Sequence, residues 1–261
     1  MRSNRYALRF VALGYLALLL ALPVGLIFWR TFEHGLAPVW NSITTPAAIS
    51  AFWLTVEVTI IAVPLNAAFG VLAALAIERG RFPGKALVNA LIDLPFAVSP
   101  VVVGLALLLV YGRGGWLADL PFQVVFSVPG IVLATILVSL PFVAREVVPV
   151  LREVSTEQEQ AALTLGASRW QAFWRITLPA IRWGLIYGVV LATARAIGEF
   201  GAVSVVSGRI AGQTQTLTLL VEQRFQNFDL AGAYAASALL GVIAIATLLG
   251  MTLLKPRKDQ A

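Results

Sequence analysis

Residues 120–144 read LPFQVVFSVPGIVLATILVSLPFVA, a run without a charged side chain. An apolar stretch of about 20 residues is long enough to cross the hydrocarbon core of a bilayer as a helix. The whole chain has this character, since 59% of its 261 residues are hydrophobic and 12% are charged. Soluble domains carry about 25% charged residues, and disordered chains have low hydrophobicity. The sequence therefore predicts an all-α integral membrane protein.

Further apolar runs flank this one, and six transmembrane helices are predicted in all. The second run contains Glu57, and the fifth contains Arg195 and Glu199. The first run is too long for the apolar part of a signal peptide, so we expect it to be retained. The predicted spans are Phe10–Trp29, Phe52–Ile77, Ala90–Tyr111, a helix within Leu120–Ala144, Trp183–Val206 and Leu230–Leu254.

Basic residues are distributed unevenly between the two sides of these spans. Fourteen Arg and Lys residues lie in the N-terminus, the 78–89 and 145–182 connections and the tail, against four on the other side. The positive-inside rule then predicts that both termini are cytoplasmic. We expect an accessory first span within residues 1–50, a five-helix core over 51–254 and a cytoplasmic tail at 255–261.

The residue types needed for several kinds of catalysis are missing from the sequence. The chain has no Cys and a single histidine, His34, which excludes thiolate sites and histidine clusters. Gly84-Lys85 resembles the end of a phosphate-binding loop, but Arg79 stands where that loop requires glycine. We therefore predict that the chain is not an enzyme and has no metal site, bound cofactor or ATPase site of its own.

The 145–182 connection carries the signals of a short helix. Ser155 with Gln158, and Thr156 with Glu159, have the spacing of a capping box, which begins a helix. We expect this helix to run to about Leu165, since a glycine follows that typically ends helices.

A second helix is predicted immediately after that glycine. Ser168 and Gln171 repeat the capping-box spacing, and Pro179 is expected to end the helix. Three aromatic residues and a threonine then share one face, at Trp170, Phe173, Trp174 and Thr177. From the pattern alone, the segment is either an interfacial hairpin or a docking element for a cytoplasmic partner.

One stretch, Gln160-Ala-Ala-Leu-Thr-Leu-Gly166-Ala followed by Ile176-Thr-Leu178-Pro179, resembles the EAA loop of ABC-importer permeases. The resemblance implies that the first short helix docks on an ATP-hydrolysing subunit. The leading Glu of the motif is replaced by Gln160, with Glu159 beside it. The implied coupling residues are Glu159, Gln160, Ala161, Ala162, Gly166, Ile176, Leu178 and Pro179.

Segments 94–104 and 194–208 are similar to permease subunits of sulfate/thiosulfate importers, and Gly198-Glu-Phe-Gly201 is also similar to molybdate permeases. This similarity implies a six-helix, type I (MetI-like) permease fold in a bacterial cytoplasmic (inner) membrane. It implies import of sulfate and thiosulfate, with molybdate or tungstate as the alternative. The implied partners are a second, CysT-like permease, two copies of a CysA-like ATP-binding subunit that uses ATP and Mg, and an extracytoplasmic sulfate- or thiosulfate-binding protein.

The charges inside the fifth predicted span have two interpretations. Arg195 and Glu199 are spaced i, i+4, so they share a helix face and can pair. They either line the anion path or form a buried structural pair. Ser99 and Ser204 either donate hydrogen bonds to a passing anion or satisfy their own helix backbone. A proton-coupled anion transporter and a non-transporting scaffold are the rival functions.

Overall fold

The predicted spans fold as helices because, in lipid, a chain must satisfy its backbone hydrogen bonds within itself. The computed structural model describes residues 2–254, with side chains for 9–250, and every regular element within that range is helical. The predicted tail, with Lys255, Arg257 and Lys258, lies outside the described residues. The helices are α1 Arg2–Leu16, α2 Leu22–Phe32, α3 Leu36–Ile43, α4 Pro46–Arg79, α5 Lys85–Ala97, α6 Pro100–Tyr111, α7 Val128–Glu153, α8 Glu157–Thr164, α9 Arg169–Ala172, α10 Leu178–Ile197, α11 Val203–Val206, α12 Leu217–Gln226 and α13 Leu230–Leu254, with π-helical turns at Ala17–Ala21 and Phe173–Thr177.

The long apolar helices agree with the prediction of six membrane spans. The third predicted span corresponds to the pair of α5 and α6, which is bent by 111° at its junction. Five stretches within residues 2–254 are continuous and long enough to cross a membrane: Arg9–Phe32, Pro46–Arg79, Val128–Glu153, Arg169–Ile197 and Leu230–Gly250.

The predicted third span, Ala90–Tyr111, corresponds to two helices, because the chain breaks between α5 and α6. Val98 and Ser99 both leave the helical conformation, with ψ angles of 135°. Ser99 precedes Pro100, and a proline ring disfavours the helical conformation in the residue before it. Pro100 itself begins α6 in the first turn, where the missing N–H has no intrahelical partner to lose.

The prediction for the fifth span, Trp183–Val206, is wrong at both ends. The helical stretch begins at Arg169 and ends at Ile197, and residues 198–202 are non-helical before α11. Pro179 does not end a helix but lies in the first turn of α10. The π-turn in front of it accommodates the proline, since the Leu178 N–H bonds the Phe173 carbonyl five residues back. A regular α-turn would bring the ring against a carbonyl.

Three spans, α4, α7 and α10, form the packed centre of the fold. The backbones of α10 and α7 come close at two glycines. A Cβ on Gly184 would lie 2.8 Å from the Glu146 carbonyl oxygen, and one on Gly188 would lie 2.8 Å from the Val143 Cα. Small residues at this spacing permit close helix packing in membranes. The buried core side chains include Val71, Ala74, Ile77, Val143, Val147, Leu151 and Ile181.

The first span differs from this centre, since its most apolar window has no buried residue. Its second half, α2, packs on α13. Near the end of α2, the Thr31 hydroxyl donates a 3.1 Å bond to the Tyr234 carbonyl. The division of the chain at residues 50 and 51 stays a prediction.

Candidate functional site

The start of α8 differs from the capping boxes that the sequence predicts. Thr156 is the N-cap residue, yet its side chain accepts no capping bond. Ser155 Oγ instead accepts a 3.0 Å bond from the Glu157 N–H. Both capping-box predictions here are therefore wrong. Glu159, the expected partner of Thr156, uses its carboxylate for contacts outside α8.

The end of α8 follows the prediction. Gly166 has a φ of +89°, a left-handed conformation that glycine adopts without steric cost. Its N–H donates to the Leu163 carbonyl at 3.1 Å, and the Ala167 N–H donates to the Ala162 carbonyl at 2.9 Å. These two bonds are the Schellman pattern, which ends a helix and turns the chain sharply.

The second predicted capping box is confirmed. The Gln171 N–H donates to Ser168 Oγ at 3.2 Å, and the Ser168 N–H donates to Gln171 Oε1 at 2.8 Å. The helix that follows carries the predicted aromatic group, in which the Trp170 and Trp174 rings lie 5.5 Å apart. Both tryptophans are exposed. The connection between α7 and α10 is thus a helix–turn–helix.

The coupling residues predicted from the resemblance divide by burial. Gln160, Ala161, Gly166 and Pro179 are exposed, whereas Glu159, Ala162, Ile176 and Leu178 are half-buried. Two leucines of the same segment are also exposed: Leu163 by 43% and Leu165 by 88%. The segment from α8 to Leu165 therefore presents apolar side chains away from the rest of the chain.

Glu159 faces inward, toward the spans. Its Oε1 accepts a 3.3 Å bond from Arg79 Nη2 and a 2.9 Å bond from the Thr177 hydroxyl. Arg79 also donates to the Leu151 carbonyl from Nη1 and to the Val154 carbonyl from Nη2, each at 3.1 Å. One cluster thus joins the ends of α4 and α7, the middle of α8 and the π-turn before α10.

Arg79 is a candidate functional residue that the sequence analysis missed. In the sequence it counts only as one of the basic residues near a span end. Its position as the last residue of α4 was one available signal, because a basic side chain there can reach free helix-end carbonyls. Its partner Glu159, 80 residues further on, carries no such signal.

Arg195 and Glu199 do meet, as their spacing predicts. Arg195 Nη1 lies 2.7 Å from Glu199 Oε2, in an ionic contact without hydrogen-bond geometry. Glu199 Oε1 accepts a 2.8 Å bond from the Ala202 N–H. The Glu199 side chain is 1% exposed and that of Arg195 is 30% exposed. Glu199 lies past the end of α10, so the pair closes the turn between α10 and α11.

The two candidate serines have different surroundings. Ser204 donates its hydroxyl to the Gly201 carbonyl at 2.8 Å, within its own turn. Ser99 is exposed, caps α6 by position, and makes no side-chain capping bond. The two broken regions touch, because a Cβ on Gly201 would lie 2.9 Å from the Pro100 Cβ. The Ser204 hydroxyl is thus used within its own turn, whereas the Ser99 hydroxyl makes no capping bond.

Six candidate spans and an exposed helix–turn–helix between α7 and α10 define a multi-pass membrane permease. Residues 66–260 match the model of the family described as "Binding-protein-dependent transport system inner membrane component". The chain belongs to this family. The prediction of an ABC-importer permease is thereby confirmed.

The particular relatives are sulfate permeases. The chain is 50% identical to the "Sulfate transport system permease protein CysW" of Synechocystis sp. over 97% of this chain and 93% of that one. It is also 50% identical to the CysW protein of Escherichia coli K12, over 93% and 85% of the two chains. The "Sulfate transport system permease protein CysT" of the same strain is 40% identical, over 91% and 86%.

Solved structures share the fold at much lower sequence identity. The chain aligns with a TM-score of 0.79 and 17% identity to a chain of a bacterial alginate ABC transporter, crystallised with an alginate-bound periplasmic protein. The alignment covers 99% of this chain and 96% of the other. The likeness confirms the importer-permease architecture that the sequence predicts.

Proposed function

We propose that this permease subunit carries sulfate, and thiosulfate, across the cytoplasmic membrane. The observation that carries the proposal is the 50% identity to CysW sulfate permeases along nearly the whole of both chains. The membrane would hold six spans with both termini in the cytoplasm, as the distribution of basic residues favours. The same orientation puts α8 on the cytoplasmic side.

The partners follow from the same proposal. A CysT-like permease would complete the pathway, which agrees with the existence of a 40% identical CysT relative. Two copies of a CysA-like ATP-binding subunit would dock beneath, one of them on α8 through Leu163 and Leu165. ATP and Mg would be used by that subunit and not by this chain. An extracytoplasmic binding protein would deliver the anion.

Within the spans, we propose that Arg195 and Glu199 are a structural pair. The burial of Glu199 supports this interpretation, because its two oxygens are engaged by Arg195 and the Ala202 amide. A carboxylate in that position would also repel a passing dianion. Ser99 is the better candidate for a contact on the anion path, since its hydroxyl is exposed.

Uptake of radiolabelled sulfate tests the function. A bacterial strain without its own sulfate permeases would express this chain with a CysT-like permease, the ATPase and the binding protein. We expect uptake that requires the ATPase and is reduced by unlabelled sulfate and thiosulfate. An inactive ATPase serves as the control.

Other outcomes would correct the proposal in defined ways. Competition by molybdate or tungstate, without competition by sulfate, would change the substrate. Uptake that needs a proton gradient and no ATPase would contradict ATP-driven import and favour the secondary transporter. Normal assembly without any uptake would favour the scaffold.

A further inference from the structure

The Arg79 guanidinium makes contacts at the ends of two packed spans. It extends from the last residue of α4 and donates to the carbonyls of Leu151 and Val154 at the end of α7. The last carbonyls of a helix have no intrahelical partner, and they carry the negative end of the helix dipole. The cation therefore fastens α4 to α7 at the end of the bundle that adjoins α8.

Glu159 attaches α8 to this junction. Its carboxylate contacts the Arg79 guanidinium and the Thr177 hydroxyl at the same oxygen. The side chains of Arg79 and Glu159 are 21% and 19% exposed, and Thr177 is buried. Largely buried opposite charges are weakly screened, and loss of one partner leaves the other uncompensated.

The chain connections on both sides of α8 are short but are not helical. Residues 154–156 precede α8, and the Gly166 turn follows it. A displacement of α8 could be absorbed at these two joints before it reached the spans. A buried ion pair with a shared hydroxyl provides a stiffer connection, because it joins the middle of α8 directly to α4, α7 and the π-turn before α10.

We infer that Arg79 and Glu159 are positioning residues that carry a displacement of α8 into α4, α7 and α10. The inference rests on the proposed function, in which an ATP-driven partner moves α8. In this inference Glu159 connects α8 to the spans, whereas the exposed side of α8 docks on the ATPase. Glu159 adjoins the altered motif position Gln160, but its carboxylate is bound within this chain by Arg79 and Thr177.

Reconstituted complexes in liposomes test the inference by two readouts, sulfate uptake and ATP hydrolysis. Glu159→Gln keeps the shape of the side chain and removes its charge. We expect uptake per ATP hydrolysed to fall by about fivefold or more, as is typical when coupling between two sites is lost. The amount of ATPase that copurifies should stay unchanged. Arg79→Gln should have the same effect, and the double variant should be no worse than either.

Arg152→Gln provides the matched control. Arg152 Nη2 donates to Glu78 Oε1 at 2.8 Å, so this neighbouring ion pair also joins α7 to α4. The Arg152 side chain is 70% exposed, and neither residue of this pair lies in α8. Removal of this pair should leave uptake per ATP unchanged. A second variant, Thr177→Val, removes the hydroxyl from Glu159 and should lower the ratio less than Glu159→Gln.

Each other result overturns the inference in a recognisable way. Lower membrane abundance of Glu159→Gln with an unchanged ratio would make the pair purely structural. Loss of copurified ATPase would make it a docking contact. An equal fall in the Arg152→Gln control would mean that any link between α4 and α7 matters. A wild-type complex without ATP-dependent uptake would instead refute the proposed function.

Discussion

The cluster around Glu159 and the pair around Glu199 use the same chemistry in different ways. In both, a buried or half-buried carboxylate meets an arginine and one further donor. The partners of Glu199 are three and four residues away, so the contacts fix one turn. Those of Glu159 are 18 and 80 residues away and belong to other elements. The Glu199 pair shapes a break in a span, whereas the Glu159 cluster joins separate parts of the fold.

The largest effect is expected where the carboxylate is most buried. Glu199→Gln would leave the Arg195 guanidinium without its counter-charge, and removal of one partner from a buried pair costs about 3 kcal/mol or more. We expect a strong loss of the protein from the membrane fraction and a lower unfolding temperature in detergent.

Glu57→Gln is the matched control, because Glu57 is an exposed carboxylate within α4. It should leave abundance and unfolding temperature close to wild type. A Glu199→Gln protein that is abundant and thermally normal but fails in uptake would contradict the structural interpretation. Such a result would place the pair on the anion path.

A smaller loss of function is expected from a substitution in the turn after α8, which leaves every ion pair intact. Gly166→Val would force a β-branched residue into a left-handed conformation, which costs about 1–2 kcal/mol. A Cβ there would meet no atom within 4 Å, so the strain lies in the backbone alone. We expect uptake per ATP hydrolysed to fall, measured in the same liposomes.

Gly166→Asn separates backbone strain from side-chain bulk. Asparagine tolerates the left-handed conformation better than other non-glycine residues, so this variant should retain more coupled uptake than Gly166→Val. Equal, normal coupling in both variants would show that the turn after α8 has no part in transmission. The inferred role of the Glu159 cluster would then depend on the Glu159 and Arg79 variants alone.

The features predicted correctly from the sequence are those with local causes. The glycine end of α8, the Ser168–Gln171 capping box and the Arg195–Glu199 contact each involve residues within five positions of one another. The contact between Arg79 and Glu159 depends on how α4, α7 and α8 pack, and no local pattern encodes it. The breaks between α5 and α6 and between α10 and α11 are an intermediate case, because they have only partly local causes. Pro100 is a local signal for a bend in the third span, but no local pattern gives the angle of 111° between α5 and α6.

The smallest effect is expected at the serines beside the Glu199 turn. Ser204 already donates to the Gly201 carbonyl, so Ser204→Ala should change stability by about 0.5 kcal/mol or less. The KM for sulfate uptake should also stay near wild type, because that hydroxyl is not free for an anion. Ser99→Ala removes an exposed hydroxyl without a capping partner and should raise KM more, with little change in stability.

These two variants distinguish a serine that only stabilises the broken region from one that contacts the anion. Ser99 and Ser204 lie on the two broken regions that meet at Pro100 and Gly201. If Ser204→Ala raises KM and Ser99→Ala does not, the anion passes on the Glu199 side of that contact, and the turn held by Arg195 and Glu199 is part of the path. If neither changes KM, the serines satisfy only local structure. Selectivity would then have to come from the binding protein or from the second permease.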